Sequence, residues 1–167
     1  FADRDVLVVE TPLLGRNSIT DPAIEPMIVE RGDSLEAPRY LQSSPEYAMK
    51  RLLAAHAEDI YQLTRCFRDG EAGRRHNPEF TLLEWYRQGF DHYLLMSEVE
   101  ELVMACLGEK PVHRYSYRSL VLDQRQLDPL RASPGEVAAA AREAVDTVDL
   151  GDDRDAWLDL LMSHVIE

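Results

Sequence analysis

Cationic side chains crowd one glycine-bearing loop of this chain, and a phenyl ring, a carboxylate and a phenol follow at even spacing. The stretch FRDGEAGRRHNPEFTLLEWY runs from Phe67 to Tyr86 and reads as strand, loop and strand. Arg68, Arg74, Arg75 and His76 gather around Gly70 and Gly73. A guanidinium at a strand end can grip a phosphate through two parallel hydrogen bonds, and glycine lets the backbone approach a ligand closely. An exposed basic hairpin tip would carry the same residues with no ligand at all. The loop therefore needs its neighbours before it means anything.

Those neighbours are Phe80, Glu84 and Tyr86, which with Leu82 fall on one side of an extended strand. A carboxylate on a buried sheet face must find a partner or lose its charge. One solution is a structural ion pair with a nearby arginine. The other is a pocket in which Glu84 pairs with a substrate ammonium, Tyr86 hydrogen-bonds to it and Phe80 stacks on a planar base. A ring, a carboxylate and a phenol on one side suit binding better than packing. Glu46, at a helix start, either repels Glu84 or shares a cation with it. His56 and His164 lie on apolar helical faces and are expected in the core, as are Trp85 and Trp157.

The positioning elements follow from periodicity. Asp59 to Arg68 alternates, with Gln62, Thr64, Cys66 and Arg68 on one face and Tyr61, Leu63 and Phe67 on the other. Glu79 to Arg87 alternates again, so an antiparallel pair joined by a loop of about ten residues is predicted. Ahead of it, Tyr40 to Ser43 reads as a short strand feeding a helix. Ser44 serves there as N-cap and Pro45 as the first helical residue. That helix runs to about His56 and is expected to bury Met49, Leu52, Leu53 and His56.

Asp5 to Leu14 reads as one strand at a sheet edge or an interface, because Pro12 lacks the donor a central strand needs. Gly15 to Pro38 reads as loop with one strand at Met27–Val29. Asp91 caps a helix to Leu107, expected to bury Leu95, Val99, Leu102, Val103 and Cys106. Beyond it, Tyr115 to Leu127 is helical. Ser133-Pro134-Gly135-Glu136 forms a capping box for a helix to about Val145, and Asp152 or Asp153 opens a last helix with Trp157, Leu160, Leu161 and His164 on one side.

Bulk properties narrow the classes. The 167 residues, 45% hydrophobic, suffice for one ordinary core. No apolar run approaches a membrane span, so a soluble, cytoplasmic protein without membrane partners is expected. Cys66 and Cys106 lie forty residues apart with no metal-binding spacing, and both are expected reduced and packed. The formal net charge of −13 disfavours a nucleic-acid backbone and suits a basic partner segment, such as an exposed lysine of another protein.

At this point the residues are similar to the class II aminoacyl-tRNA synthetases of the lysyl type. Phe67 to Tyr86 resembles their second signature motif. Ser44-Pro45-Glu46 and Met49-Lys50-Arg51-Leu52-Leu53 precede it in the right order, and Val9-Glu10-Thr11-Pro12 resembles the end of the first motif, whose proline lies at a dimer interface. Within the family, Ser44 to Tyr47, Met49 to Leu53 and Glu84 to Arg87 most resemble a branch of truncated lysyl-type paralogues without an anticodon-binding domain. Members of that branch activate (R)-β-lysine with ATP and transfer it to a lysine side chain of elongation factor P.

The resemblance implies an α+β fold, an antiparallel sheet flanked by helices, incomplete, with a C-terminal helical insert. Residues 1–110 would be a partial catalytic core and 111–167 the insert. It implies an ATP-dependent aminoacyl ligase in which Arg68 contacts the α-phosphate as the catalytic group. Asp69 and Gly70 would reach the adenine through their backbone, His76 and Asn77 would reach the ATP, and Phe80 would stack on the adenine. Ser44, Pro45 and Glu46 would border the amino-acid site with Glu84 and Tyr86. The implied partners are elongation factor P, ATP, (R)-β-lysine and a second copy as homodimer, with no tRNA. A lysyl-tRNA synthetase catalytic fragment and a non-catalytic binding module are the alternatives. Whether the amino acid is the α- or the β-isomer is left open, since both present an ε-ammonium.

Two departures stand out. The lysyl pattern has glutamate two residues after the motif arginine, where this chain has Gly70 followed by Glu71. The third motif, a Gly-rich strand and helix with a second ATP-binding arginine, is not found, nor are the acidic residues expected to hold Mg²⁺. The 167 residues are therefore expected to be an incomplete catalytic unit and not to turn over ATP alone. Pyrophosphate exchange measured on this chain with ATP and either lysine isomer should give no signal, and detectable adenylate formation would overturn that expectation.

Overall fold

A computed structural model of the chain describes residues 1–30, 32, 37–56, 58–146 and 149–166; of Val165 the backbone alone is described. It divides into two compact units, Phe1–Val103 and Met104–Glu167, taken here in turn.

In the first unit a mixed three-stranded sheet carries the order β1-β5-β6, from β1 (Leu7–Val8), β5 (Ile60–Phe67) and β6 (Glu79–Tyr86). β5 and β6 pair antiparallel from Ile60↔Tyr86 to Phe67↔Glu79, as their alternation predicts. The sheet departs from the expected all-antiparallel arrangement at its edge, where β1 runs parallel to β5. A second sheet is antiparallel, in the order β2-β4-β3, from β2 (Leu14–Gly15), β3 (Ile28–Val29) and β4 (Arg39–Leu41). The single strand expected over Asp5 to Leu14 is thus two short strands in different sheets. They are separated by the segment containing Pro12, which cannot donate to a ladder. The loop expected over Gly15 to Pro38 contains β3, and its residues 31 and 33–36 lie outside the described residues.

Helix α1 (Glu46–His56) begins where the Ser44 hydroxyl accepts the Glu46 N–H at 3.1 Å, and Met49 is its buried residue. Leu52 and Leu53 are half-buried, but His56, expected in the core, is exposed. It occupies the last turn of the helix. Helix α2 (His92–Leu107) starts with Asp91 accepting the Leu94 N–H at 2.9 Å, as predicted. Its burial differs from the expectation. Leu95, Val99, Val103 and Cys106 are exposed and Leu102 is half-buried, while the buried residue is Glu98.

The second unit is helical. Helix α3 (Tyr117–Arg125) is capped by Ser116, α4 (Pro134–Ala144) carries the predicted capping box between Ser133 and Glu136, and α5 (Arg154–Leu161) is capped by Asp153. Val137, Ala138 and Ala141 of α4 pack on Trp157, Leu158 and Leu161 of α5. Trp157 is fully buried and donates its indole N–H to the Gly151 carbonyl at 2.9 Å. His164, expected on that buried side, lies beyond α5 in a π-helical turn, Met162–Ile166, and is exposed. Among the described residues no helix is long and apolar enough to cross a membrane.

Cys66 and Cys106 are both free thiols with opposite environments: Cys66 is buried and Cys106 exposed. Burial pushes the Cys66 thiol up to about 11, with the Glu84 carboxylate adding to the effect. The group stays protonated longer in the folded state than in the unfolded one. Its contribution to stability is present below about pH 9 and is lost as pH rises towards 11. A thiol reagent at neutral pH should modify Cys106 rapidly and Cys66 only after denaturation; equal reaction rates would contradict this.

Candidate functional site

The β5–β6 register decides which side chains meet. Directly opposed residues of an antiparallel pair share a face. The pairs Ile60↔Tyr86, Gln62↔Glu84, Thr64↔Leu82 and Cys66↔Phe80 therefore place Tyr86, Glu84, Leu82 and Phe80 in one row. Beyond the last pair, the Arg68 N–H donates to the Pro78 carbonyl at 2.9 Å. The Arg68 guanidinium lies over the Phe80 ring, 5.0 Å from its centre, a cation–π contact. Its Nε donates to the Ser43 carbonyl at 3.4 Å, and its Nη1 lies 3.6 Å from the Glu71 carboxylate.

At the other end of the row, Glu84 receives two hydroxyl donors. Ser44 donates to Oε2 at 2.7 Å and Tyr86 donates to Oε1 at 2.6 Å. Each carboxylate oxygen keeps a lone pair for a further donor. Both donors are neutral, so the carboxylate is oriented without being neutralised. Burial first, and the bond to Glu84 second, raise the Tyr86 phenol well above its ordinary range, which keeps it a donor. Of the alternatives open for Glu84, a structural ion pair with an arginine does not occur among the described residues. Glu46 pairs with Lys50 one helical turn on, and the Lys50 ammonium is held protonated chiefly by Glu46 and to a lesser degree by Glu84.

A polar brace holds the Ser43–Ser44 segment against β5. Gln42 donates through Nε2 to Thr64 Oγ1 at 3.1 Å and to the Arg65 carbonyl at 2.8 Å, and its own carbonyl accepts the Phe67 N–H at 2.9 Å. Beneath it, Thr11 donates to Gln62 Oε1 at 2.9 Å with both residues buried. Local sequence reasoning passed over Gln42, Gln62 and Lys50. The signal available was a polar residue, Gln62, in the alternation of an otherwise inward-facing row.

The loop residues are arranged differently. Asp69 forms a single bridge to Glu25, donating its N–H to the Glu25 carbonyl at 2.8 Å, and its side chain accepts the Gly70 N–H at 2.9 Å. Gly70 adopts φ +73°, a left-handed conformation that costs an L side chain roughly 1–2 kcal/mol. Its departure from the family's glutamate thus has a backbone consequence. Arg74, Arg75, His76 and Asn77 are exposed, and the structure does not bring them onto the row formed by Phe80, Glu84 and Tyr86. Pro45 is fully buried and Glu46 half-buried. Trp85, expected in the core, is half-buried on the opposite face, where its indole N–H reaches Glu98 Oε2 at 3.0 Å.

A separate cavity of about 500 Å³ lies between β2, β4 and α1, lined in part by Arg16, Tyr40, Tyr47 and Arg51. It shares Ser44 and Glu46 with the site but touches none of Arg68, Phe80, Glu84 and Tyr86. The convergence of charge, aromatic ring and hydroxyls is on the sheet face.

A family model described as tRNA synthetases class II (D, K and N) matches residues 1–128. Among curated proteins, the elongation factor P–(R)-beta-lysine ligase of Yersinia enterocolitica is 45% identical, the alignment covering all of this chain and 53% of that protein. The proteins of the same name from Salmonella typhi and Haemophilus ducreyi are 44% and 42% identical, each again over all of this chain and over 53% and 52% of their own lengths. The chain spans about half the length of the curated relatives it matches.

The hydroxyl-held carboxylate makes a direct prediction. The Tyr86 phenol is expected to ionise only above the ordinary tyrosine range, so its contribution to stability is present below about pH 10 and lost at higher pH. In Glu84→Gln its titration should move down yet remain above the ordinary value, because burial is the larger cause. An alkaline titration followed by tyrosinate absorbance, with Tyr86→Phe as the blank, checks both; an unmoved titration would show that Glu84 is not the partner.

Proposed function

This chain belongs to the class II tRNA synthetases of the D, K and N group, and on that premise we propose that it forms the N-terminal part of an ATP-dependent ligase acting on elongation factor P. The reaction proposed is activation of (R)-β-lysine, or lysine, as an adenylate, followed by transfer to a lysine side chain of that protein. The names of the relatives support the ligase reading and its acceptor. The observation that carries the amine half is the Glu84 side chain, oriented by two neutral hydroxyls, in the same row as Arg68 and Phe80. Phe80 and Glu84 are four residues apart, about 13 Å along a strand, a span that suits an extended lysyl chain ending at a nucleotide.

In this reading the substrate ammonium sits against Glu84 and Tyr86, bordered by Ser44, Pro45 and Glu46. A carboxylate oxygen of the amino acid attacks the α-phosphorus of ATP and pyrophosphate leaves. Arg68 stabilises the charge that builds on the phosphoryl oxygens, an electrostatic role. Phe80 stacks on the adenine, the backbone of Asp69 and Gly70 meets its edge, and His76 and Asn77 reach the phosphates when the loop closes on ATP. The unprotonated amine of the acceptor lysine then attacks the adenylate carbonyl, AMP leaves, and an amide forms. ATP chemistry of this kind uses Mg²⁺. Among the described residues no three His, Cys, Asp or Glu side chains come together to hold a metal ion, so no step here is routed through one.

Residues 1–110 then form part of the catalytic core and 111–167 a helical insert, the third motif belonging to the remainder of the longer protein. A cytoplasmic homodimer fits the exposed Leu7, Val8, Leu13 and Leu14 around Pro12. The family description itself favours one second reading, a lysyl-tRNA synthetase core. The net charge of −13 weighs against it, because tRNA phosphates would be repelled.

The deciding experiment gives the complete protein ATP, either lysine isomer, and either elongation factor P or tRNA, with mass spectrometry of both acceptors. A lysyl group on elongation factor P is expected. Charging of tRNA alone would replace this reading with the second. Arg68→Ala should lower kcat by roughly 10²–10³-fold, the usual effect of removing one transition-state donor.

A further inference from the structure

Behind the sheet face that carries Glu84 and Tyr86 lies a second charged cluster, centred on the one buried residue of α2. Glu98 is 5% exposed. Its Oε2 accepts the Trp85 indole N–H at 3.0 Å and its Oε1 accepts Arg4 Nη1 at 3.2 Å. Arg87 Nε lies 3.5 Å from the same Oε1. Arg87 also pairs with Asp59 at 3.2 Å and lies over the Phe90 ring at 4.6 Å. Arg4 extends the cluster to Glu101. Phe1 covers the cluster's aromatic side, stacked on Tyr61 at 4.9 Å and tilted on Trp85 at 5.4 Å.

Strand geometry ties this cluster to the other face. Side chains alternate, so Trp85 and Arg87 project backwards while Glu84 and Tyr86 project forwards. Both backward residues bracket Tyr86; Trp85 is hydrogen-bonded to the Glu98 carboxylate, and Arg87 lies at ion-pair distance from it, its buried Nε making no hydrogen bond. Rotating the backbone at either would swing Tyr86 and its bond to Glu84. Burying a lone carboxylate is costly unless hydrogen bonds and opposite charge compensate it. Here an α2 helix that leaves Leu95, Val99 and Val103 exposed nonetheless buries Glu98. The helix is thus fastened to the strand by charge and hydrogen bonds.

We propose that Glu98 is a positioning residue for the amine site: through Trp85 and Arg87 it sets the direction in which Tyr86 and Glu84 face the substrate ammonium. The proposal rests on the reading of Glu84 and Tyr86 as that site. It distinguishes Glu98 from Arg68 and Phe80, which lie at the far end of the β5–β6 pair and do not depend on it.

The test uses the complete protein and compares wild type, Glu98→Gln, Trp85→Phe and the double variant by pyrophosphate exchange, with ATP and the lysine isomer the wild type prefers. Each single variant should raise KM for the amino acid about five- to tenfold, the weight of one lost charge-assisted hydrogen bond, and leave KM for ATP within about twofold. The double variant should be no worse than the more severe single one, since Glu98→Gln weakens and Trp85→Phe removes the same Trp85–Glu98 contact. Trp85→Phe keeps the carboxylate and both arginines, so it serves if Glu98→Gln does not fold. A lower melting temperature with both KM values unchanged, or both raised together, overturns the proposal in favour of a merely structural bond. If the wild type uses no lysine isomer, the functional reading has failed separately. Backbone hydrogen exchange over residues 84–87 then decides the clamp: faster exchange in Trp85→Phe supports it, and unchanged exchange overturns it.

Discussion

Eight consecutive residue pairs join β5 to β6, from Ile60↔Tyr86 to Phe67↔Glu79, and every other feature of the first unit takes its position from them. A slip of one residue would turn each side chain of β6 to the other face. Glu84 would then meet the region of Glu98, and Trp85 would face the Ser44 hydroxyl in its place. The register is specified because the two faces are chemically different. One row carries Ile60, Gln62 and Cys66, all buried, opposite the pocket residues. The other carries Tyr61 and Trp85 against Phe1.

The two carboxylates on either side of this hairpin show two ways of living with burial. Glu84 is held by hydroxyls, which orient it and leave its charge uncancelled. Glu98 is held by guanidiniums and an indole, which satisfy it as an internal ion cluster. A buried charge that is fully paired gives specificity of arrangement more than stability. One that is oriented but unpaired remains attractive to a cation from outside. The asymmetry separates a scaffold from a site, and it arises within one strand.

The second unit is built on different terms. Its helices carry their own caps at Ser116, Ser133 and Asp153, and its interior is a compact apolar contact between α4 and α5 around Trp157. Arg142 closes the ring's other side at 4.6 Å, and Arg118 pairs with Asp128 through two parallel bonds of 3.1 and 2.6 Å. Among its described residues nothing gathers a catalytic set; they are held by local signals and a hydrophobic seam.

By itself the sequence determined the features that a chain's own geometry imposes. Period-two alternation set the faces of β5 and β6, and an oxygen-bearing side chain three residues ahead of a free N–H marked the caps at Asp91 and Ser133. These are interactions over a few residues, written in residue type and spacing. The tertiary structure decided the rest. Ser44 meets Glu84 across forty positions, His56 and His164 end in solvent, and α2 turns a glutamate inward while most of its apolar side chains stay exposed. An amphipathic pattern states which residues belong together on a helix face. It cannot state what that face will meet, because the partner is contributed by chain far away in sequence. Two arginines and an indole can make a carboxylate the better residue to bury.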